Sequence, residues 1–339
     1  MALSPGGAIT EGISMIENVA ENIYTFPIAL PNNPLKWLNC YVVRGLNGGR
    51  DLLIDSGFNT RKCLMDLKHG MRELGLDPKN TDVFFTHAHS DHTGNAGALY
   101  EMGCHLIMGR IDFEYLLQAP WVNQIRRSTK DGMPEYLIKA MDGSSGNTWL
   151  VPDSFTPELK EDGDILRYGG YEFECIVTPG HTPGHICLYD KAHRLMFTGD
   201  HVLFDITPNI TYSGTDMDML GHYLESLDKI DRYQVDVALP SHRTAGSKGF
   251  HERIEELREH HRLRLAEAER IVTEHPDLCG YEIAPLMVWA IHAKSWEDFP
   301  NNQKWFATGE ALAHLMNLEY TGRIEKYTDA NGVERYRKL

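Results

Sequence analysis

Short apolar runs with β-branched and aromatic residues dominate the early part of the chain. "NIYTFPIAL", "LNCYVVRG" and "RDLLIDSG" read as strands, and Gly45, Gly48 and Gly49 mark a hairpin turn between the last two. The period then lengthens. From Thr60 to Leu74 the residues Cys63, Leu64, Leu67, Met71 and Leu74 fall at helical spacing, and Gly75 follows as a stop signal. "DVFFT" reads as a short buried strand. Between Arg110 and Trp149 the pattern turns helical and polar, with Phe113, Tyr115, Trp121, Tyr136 and Trp149 spaced through it. This predicts a helical insertion or lid over residues 110–149. Strand signal returns in "YEFECIVTPG", "HICLYD" and "RLMFTGD", the last two separated by the turn-like "KAHR", and again in "VDVALPSH".

Two β-rich halves, each with helices, predict an α/β fold in which two packed mixed sheets are covered by helices on both outer faces. After His242 the character changes. Phe250 to Val272 forms a charged helix with Ile254, Leu257, His261, Leu265, Ala268 and Val272 on one stripe, broken by Pro276 and Gly280. Ile283 to Ala293 and Glu310 to Leu318 read as helices, and "RIEKYTDANGVERYRKL" as a hairpin turning at Ala330-Asn331-Gly332. The expected division is a first domain over residues 1–248 and a C-terminal helical, winged-helix-like module over 249–339.

Composition changes little in this picture. The 339 residues are 42% hydrophobic and 24% charged, an ordinary globular balance. A formal net charge of −15 argues against nucleic-acid backbones and anionic membranes as partners. The opening residues hold no basic segment leading into an apolar run, and no uninterrupted stretch of about 18 apolar residues follows, so a cytoplasmic chain is expected. Six cysteines are scattered without a C-x-x-C pair, which predicts reduced, buried thiols.

"THAHSDHTGN" does change the picture. Histidine is 17 of 339 residues, and at that frequency H-x-H-x-D-H arises by chance in roughly one such chain in several hundred. At a strand end His87 and His89 project to one face, and the turn that follows brings Asp91 and His92 to a neighbouring position. Imidazole and carboxylate together suit zinc, iron or manganese, and the lack of cysteine argues against a closed structural zinc site. One segment cannot complete the coordination. His181 in "TPGHTPGH", Asp200 in "MFTGD" and His242 in "ALPSH" each follow a strand-like run and can converge on one sheet edge.

In this order "THAHSDH", "TPGHTPGH", "FTGD" and "PSH" resemble the metallo-β-lactamase superfamily, over roughly Ile16 to Arg243. Within it the pattern is more similar to the glyoxalase II-like hydrolases and the β-lactamase-like endoribonucleases than to true β-lactamases. The resemblance implies a four-layer αββα sandwich and two divalent metal ions, zinc before iron or manganese. It implies that His87, His89 and His181 hold one ion, that Asp91, His92 and His242 hold the other, and that Asp200 bridges them. A carboxylate can span ions about 3.5–4 Å apart, and a water between them becomes a nucleophile near neutral pH. Asp91 is the candidate to manage the proton near the leaving group.

Around these seven residues the sequence permits weaker assignments. His185 is expected behind the ligands or in the core, and Asp55 either orients a ligand histidine or caps the following helix. Trp37, Phe204 and Tyr212 are candidate substrate contacts, with ordinary packing the competing explanation for the aromatics. The expected substrate is a small ester, thioester or lactone; the alternatives are a phosphodiesterase or ribonuclease, and a non-hydrolytic iron oxidoreductase. From Gly280 to Leu339 seven Lys and Arg face eight acids, a poor nucleic-acid footprint. Trp296, Phe299, Trp305 and Phe306 there suit packing or a homodimer contact.

Overall fold

The computed structural model describes residues 16–142, 156–212, 214, 216–244, 248–290 and 293–339. Seven strands in sequence order make a first sheet: β1 (Glu17–Ala20), β2 (Ile23–Ala29), β3 (Trp37–Val43), β4 (Asp51–Ile54), β5 (Thr81–Phe85), β6 (His105–Gly109) and β7 (Glu158–Lys160). Pairing is antiparallel from β1 to β4 and parallel from β4 to β7. A second sheet holds β8 (Ile165–Tyr168), β9 (Tyr171–Val177), β10 (Ile186–Asp190), β11 (Leu195–Gly199) and β12 (Val237–Pro240), in the order β12-β11-β10-β9-β8. Here β11 and β12 run parallel while the other pairs are antiparallel.

Both sheets are buried on two faces, so β4, β5, β10 and β11 are buried at every position and carry apolar runs, with their polar residues at or near the strand ends. Leu52, Ile54 and Phe84 point between the sheets and meet Phe173, Ile186, Leu188 and Phe197. Their neighbours Leu53, Val83 and Phe85 point outward beneath the helix α1 (Arg61–Glu73). On the second sheet Cys187 and Tyr189 face outward while Ile186 and Leu188 face inward. Full burial of each such large side chain contributes roughly 1.5–3 kcal/mol.

The chain after β5 forms two short helices, α2 (Ser90–Thr93) and α3 (Ala96–Met102). The expected insertion is helical, comprising α4 (Arg110–Leu117), α5 (Pro120–Arg127) and α6 (Glu135–Asp142); its residues 143–149 lie outside the described residues. The outer layer of the second sheet is α7 (Met219–Ile230), α8 (Phe250–Glu274) and α10 (Asn301–Tyr320), with the short α9 (Gly280–Ile283) between the last two. A third, antiparallel sheet of β13 (Leu278–Cys279), β15 (Glu334–Lys338) and β14 (Ile324–Thr328) closes the chain. The insertion rests on this end of the protein: Met133, Leu137 and Met141 pack on Trp305 of α10, with Trp121 and Ile125 beside them.

The helix expected over Ile283 to Ala293 is not found among the described residues of that range, 283–290 and 293. They make a 3-10 turn, Ala284–Leu286, and leave helical geometry at Met287. Pro285 lacks the amide that would continue the ladder, and the indole of Trp289 donates to Ala284 O, closing the turn. The helix expected at Glu310 instead starts at Asn301, directly after Pro300. All six cysteines are buried and unpaired. No described helix is long and apolar enough to cross a membrane.

Helix α1 is capped by Thr60, whose side chain accepts from Cys63 N, and it seats on the first sheet at Gly70. A Cβ at Gly70 would lie 2.4 Å from the Phe26 ring. Helix propensity alone favours alanine there by about 1 kcal/mol, but overpacking a rigid aromatic costs about 1–3 kcal/mol, so the clash dominates. Gly70→Ala is therefore expected to lower stability in urea unfolding, and a stabilised variant would show that α1 does not seat on Phe26.

Candidate metal centre

Parallel pairing places the C-terminal ends of β4, β5 and β6 at one edge of the first sheet, and those of β11 and β12 at the same end of the second. The two edges are stitched together: Asn39 N donates to Ser241 O at 2.7 Å, Ile186 N donates to Thr86 O at 2.9 Å, and Leu38 bridges His242. Four of the segments leaving this end carry the residues singled out in the sequence. His87, His89, Asp91 and His92 follow β5, His181 lies between β9 and β10, Asp200 follows β11 and His242 follows β12.

All seven converge. His89 Nδ1 lies 3.1 Å from His87 Nε2 and 2.8 Å from His181 Nε2. His242 Nε2 is 3.3 Å from Asp91 Oδ2, and His92 Nε2 is 3.8 Å from the same oxygen. Asp200 stands between these groups. Its Oδ2 is 3.5 Å from both His181 Nε2 and His242 Nε2, and its Oδ1 is 3.7 Å from His92 Nε2. Three donor sets could each hold an ion: His87, His89 and His181; His87, His92 and Asp200; and Asp91, His92 and His242.

The donor chemistry fits divalent cations. Tetrahedral bonds of about 2.0–2.1 Å separate ligand atoms by roughly 3.3 Å, close to the spacings observed. His92 Nε2, His242 Nε2 and Asp200 Oδ1 are buried without a hydrogen-bond partner, a costly state for polar atoms that a cation relieves.

The inward aim of these atoms is set from behind. Asp55 Oδ2 accepts from His92 Nδ1 at 2.8 Å, and the Thr86 hydroxyl donates to Asp55 while accepting from His87 Nδ1 at 3.0 Å. His181 Nδ1 donates to Asn209 O at 2.9 Å and His242 Nδ1 to Trp37 O at 3.0 Å. Of the two roles open to Asp55, the structure shows it orienting a histidine; the cap of α1 is Thr60. His185 faces the backbone: its Nε2 accepts from Asp200 N at 3.1 Å and its Nδ1 donates to Thr178 Oγ1 at 2.8 Å. Gly199 makes that approach possible, since a Cβ there would sit 2.3 Å from His185 Nε2 and its φ is +51°.

Asp112 went unnoticed in the sequence. It sits in the first turn of α4, fully buried, and accepts from Ala88 N at 2.7 Å, Thr182 Oγ1 at 2.6 Å and Gly184 N at 2.6 Å. One carboxylate thereby joins the loop of His87 and His89 to the loop of His181. Burial pushes it up to about 6, with those hydrogen bonds opposing. A lone acid in a helical stretch carries no motif, so only its place after β6 could have signalled it.

The candidate substrate aromatics separate. Trp37 lies on the rim, half-buried, with its carbonyl on His242 and its indole donating to Asn39 Oδ1. Phe204 and Tyr212 are buried in the core beneath α7, α8 and α10, and the Arg127 guanidinium lies 4.6 Å above the Tyr212 ring.

Burial, and then the neighbouring imidazoles, hold His87 and His181 well below the usual histidine range; burial also takes His89 down to about 4. Burial opposes charge on His92, but Asp55, Asp91 and Asp200 outweigh it and raise this group to about 10. His242 is raised likewise, by Asp200 and Asp91 against burial. The His92 side therefore holds surplus negative charge that protons or a cation must balance.

The Metallo-beta-lactamase superfamily model matches residues 38–242, more than half of the chain, and the chain belongs to this superfamily. A second model, the metallo-beta-lactamase-like C-terminal domain, matches residues 297–339. The acyl-coenzyme A thioesterase MBLAC2 of Bos taurus is 33% identical over 218 residues, 60% of this chain and 72% of that protein. The hydroxyacylglutathione hydrolase GloC of Haemophilus influenzae is 30% identical over 154 residues, 45% of this chain and 60% of that protein. A metallo-beta-lactamase family protein of Thermus thermophilus superposes with a TM-score of 0.76 at 25% identity, over 95% of this chain and 100% of that one.

Asp112→Ala leaves three buried donors unpaired, which is expected to cost about 3 kcal/mol of stability and to weaken metal binding roughly 10–100-fold. Chelator competition measures the second effect, and unchanged affinity would show that the two loops hold their places without Asp112. Because Asp55, Asp91 and Asp200 raise His92 to about 10, metal uptake at pH 8 is expected to displace its proton, releasing about one per chain. Calorimetry in buffers of different ionisation enthalpy counts the protons, and apparent affinity rises with pH.

Proposed function

We propose that the protein is a dinuclear metal-dependent hydrolase of a small ester, thioester or lactone, with thioesters first. The observation that carries this reading is Asp200, one buried carboxylate within 3.7 Å of His181, His242 and His92, and so within reach of both outer donor sets. His87, His89 and His181 would hold one cation, Asp91, His92 and His242 the second, and Asp200 would bridge them. Zinc suits the imidazole and carboxylate donors, with iron or manganese as the alternatives. Bound divalent cations ionise water near neutral pH and polarise the scissile carbonyl.

The chain's own residues supply the rest. His87 and His181 stay neutral at physiological pH and so keep their lone pairs for coordination. Burial would push Asp91 up, but His92 and His242 outweigh it and hold the carboxyl below the usual carboxylate range. With Oδ2 turned to His92 and His242, Asp91 keeps its second oxygen to take the water's proton and return it to the leaving atom. For a thioester, water oxygen adds to the carbonyl carbon, the C–S bond breaks, and that proton goes to sulfur, giving an acid and a thiol. Thioesters come first because relatives of this chain are named acyl-coenzyme A thioesterase and hydroxyacylglutathione hydrolase.

Asp200→Ala is expected to abolish turnover and lower bound metal while the circular dichroism spectrum stays native. Metal analysis and a thioester, ester and lactone screen of the metal-replete protein test this together. Full activity in the variant would reject the bridging role.

A further inference from the structure

The donor cluster accounts for His242 but not for the residue after it. Arg243 has φ +64°, a left-handed backbone that glycine adopts freely and a long side chain rarely does. The conformation is held in place, because Asn39 Nδ2 donates to Arg243 O at 2.8 Å and to Pro240 O at 3.0 Å. The guanidinium is centred 5.4 Å from the Trp37 ring and donates through one terminal nitrogen to Pro34 O. Its Nε is buried without a hydrogen-bond partner.

Charge makes this arginine unusual here. Arg127, Arg253, Arg258 and Arg264, all largely buried, each pair with a carboxylate of the chain. Among the described residues Arg243 has no such partner, in a chain whose formal charge is −15. A half-buried guanidinium kept from every acid costs stability unless an outside anion completes it. Its place indicates when that anion arrives. Trp37 orients His242 with its carbonyl and supports Arg243 with its ring, so the guanidinium stands on the rim of the donor cluster.

We propose that Arg243, stacked on Trp37, anchors the anionic end of the thiol half of a thioester substrate. This rests on the thioester reading of the metal centre. With the acyl carbonyl against the cations, one half of the thioester leads outward over the rim, and the thiol half is the one that carries anions in glutathione and coenzyme A. A carboxylate, as on glutathione, and a phosphate, as on coenzyme A, are both matched by the planar guanidinium fork.

Two variants test the anchor. Arg243→Gly removes the guanidinium and suits the left-handed backbone, so the melting temperature is expected to hold or rise; Arg243→Lys keeps the charge but not the fork. Hydrolysis is compared on three acetyl thioesters: of neutral N-acetylcysteamine, of glutathione and of coenzyme A. The ratio of kcat/KM on a charged substrate to that on the neutral one is expected to fall about tenfold in the glycine variant, through KM, as for one lost charge-assisted contact. The lysine variant should recover part of it. Loss confined to glutathione or to coenzyme A identifies the carboxylate or the phosphate as the anion. An unchanged ratio, whether rates stay the same or all fall together, overturns the proposal. If the native protein cleaves none of the three, the thioester reading fails, and calorimetric titration with glutathione and coenzyme A decides the anchor separately. Binding about tenfold weaker in Arg243→Gly sustains it; no difference, or no binding to either protein, rejects it.

Discussion

Seven donor side chains converge on one space, and three of their buried atoms, His92 Nε2, His242 Nε2 and Asp200 Oδ1, find no hydrogen-bond partner there. This is the constraint on which the architecture depends. An unpaired buried polar atom costs about 1–3 kcal/mol, so the cluster depends on the fixing of His87, His92, His181 and His242 from their other nitrogen and on a charge that relieves the unpaired atoms, as a divalent cation would. The fixing partners come from both sheets: Asp55 and Thr86 from the first, Asn209 and the His185–Thr178 pair from the second, and the Trp37 carbonyl across the junction. The αββα sandwich is one way to bring so many backs to one place, since it stacks two strand edges and keeps water out between them.

Rigidity in this end of the molecule is built from carboxylates that stand behind the donor atoms. Asp55 reads two histidines at once, one directly and one through the Thr86 hydroxyl. Asp112 spans two loops from the start of a helix that looks, in sequence, like a peripheral insertion. The insertion thus has an inner end that organises the centre and an outer end that packs on Trp305 of α10.

Much of this was legible in the residues. The strand runs and the Thr60–Leu74 periodicity stood out because buried strands and an amphipathic helix leave strong local patterns, and Cys63, Leu67 and Met71 are the buried stripe of α1. The donors were legible for a different reason: histidine is rare enough that six residues holding three of them demand a cause. What stayed hidden is what long-range geometry alone decides. Nothing near Asp112 in sequence announces its three partners, which lie 24 to 72 positions away. Trp37 gave no hint that its carbonyl, not its ring, would meet His242. Apolar residues around Met287 and Trp289 imitate a helix, and a single proline cancels it. Phe204 and Tyr212 stand out in sequence as candidate substrate contacts because they follow Asp200, and the structure has both buried in the apolar cluster beneath α7, α8 and α10.

One backbone link extends the reach of the centre beyond its own loops. Tyr212 N donates to Gly309 O in the middle of α10, and the same loop, three residues earlier, offers the Asn209 carbonyl that steers His181. A helix more than a hundred positions downstream is thereby wired to one imidazole of the cluster. A displacement of α10, whose apolar side chains also fill the core beneath the second sheet, would consequently be felt at that imidazole as well as in the fold.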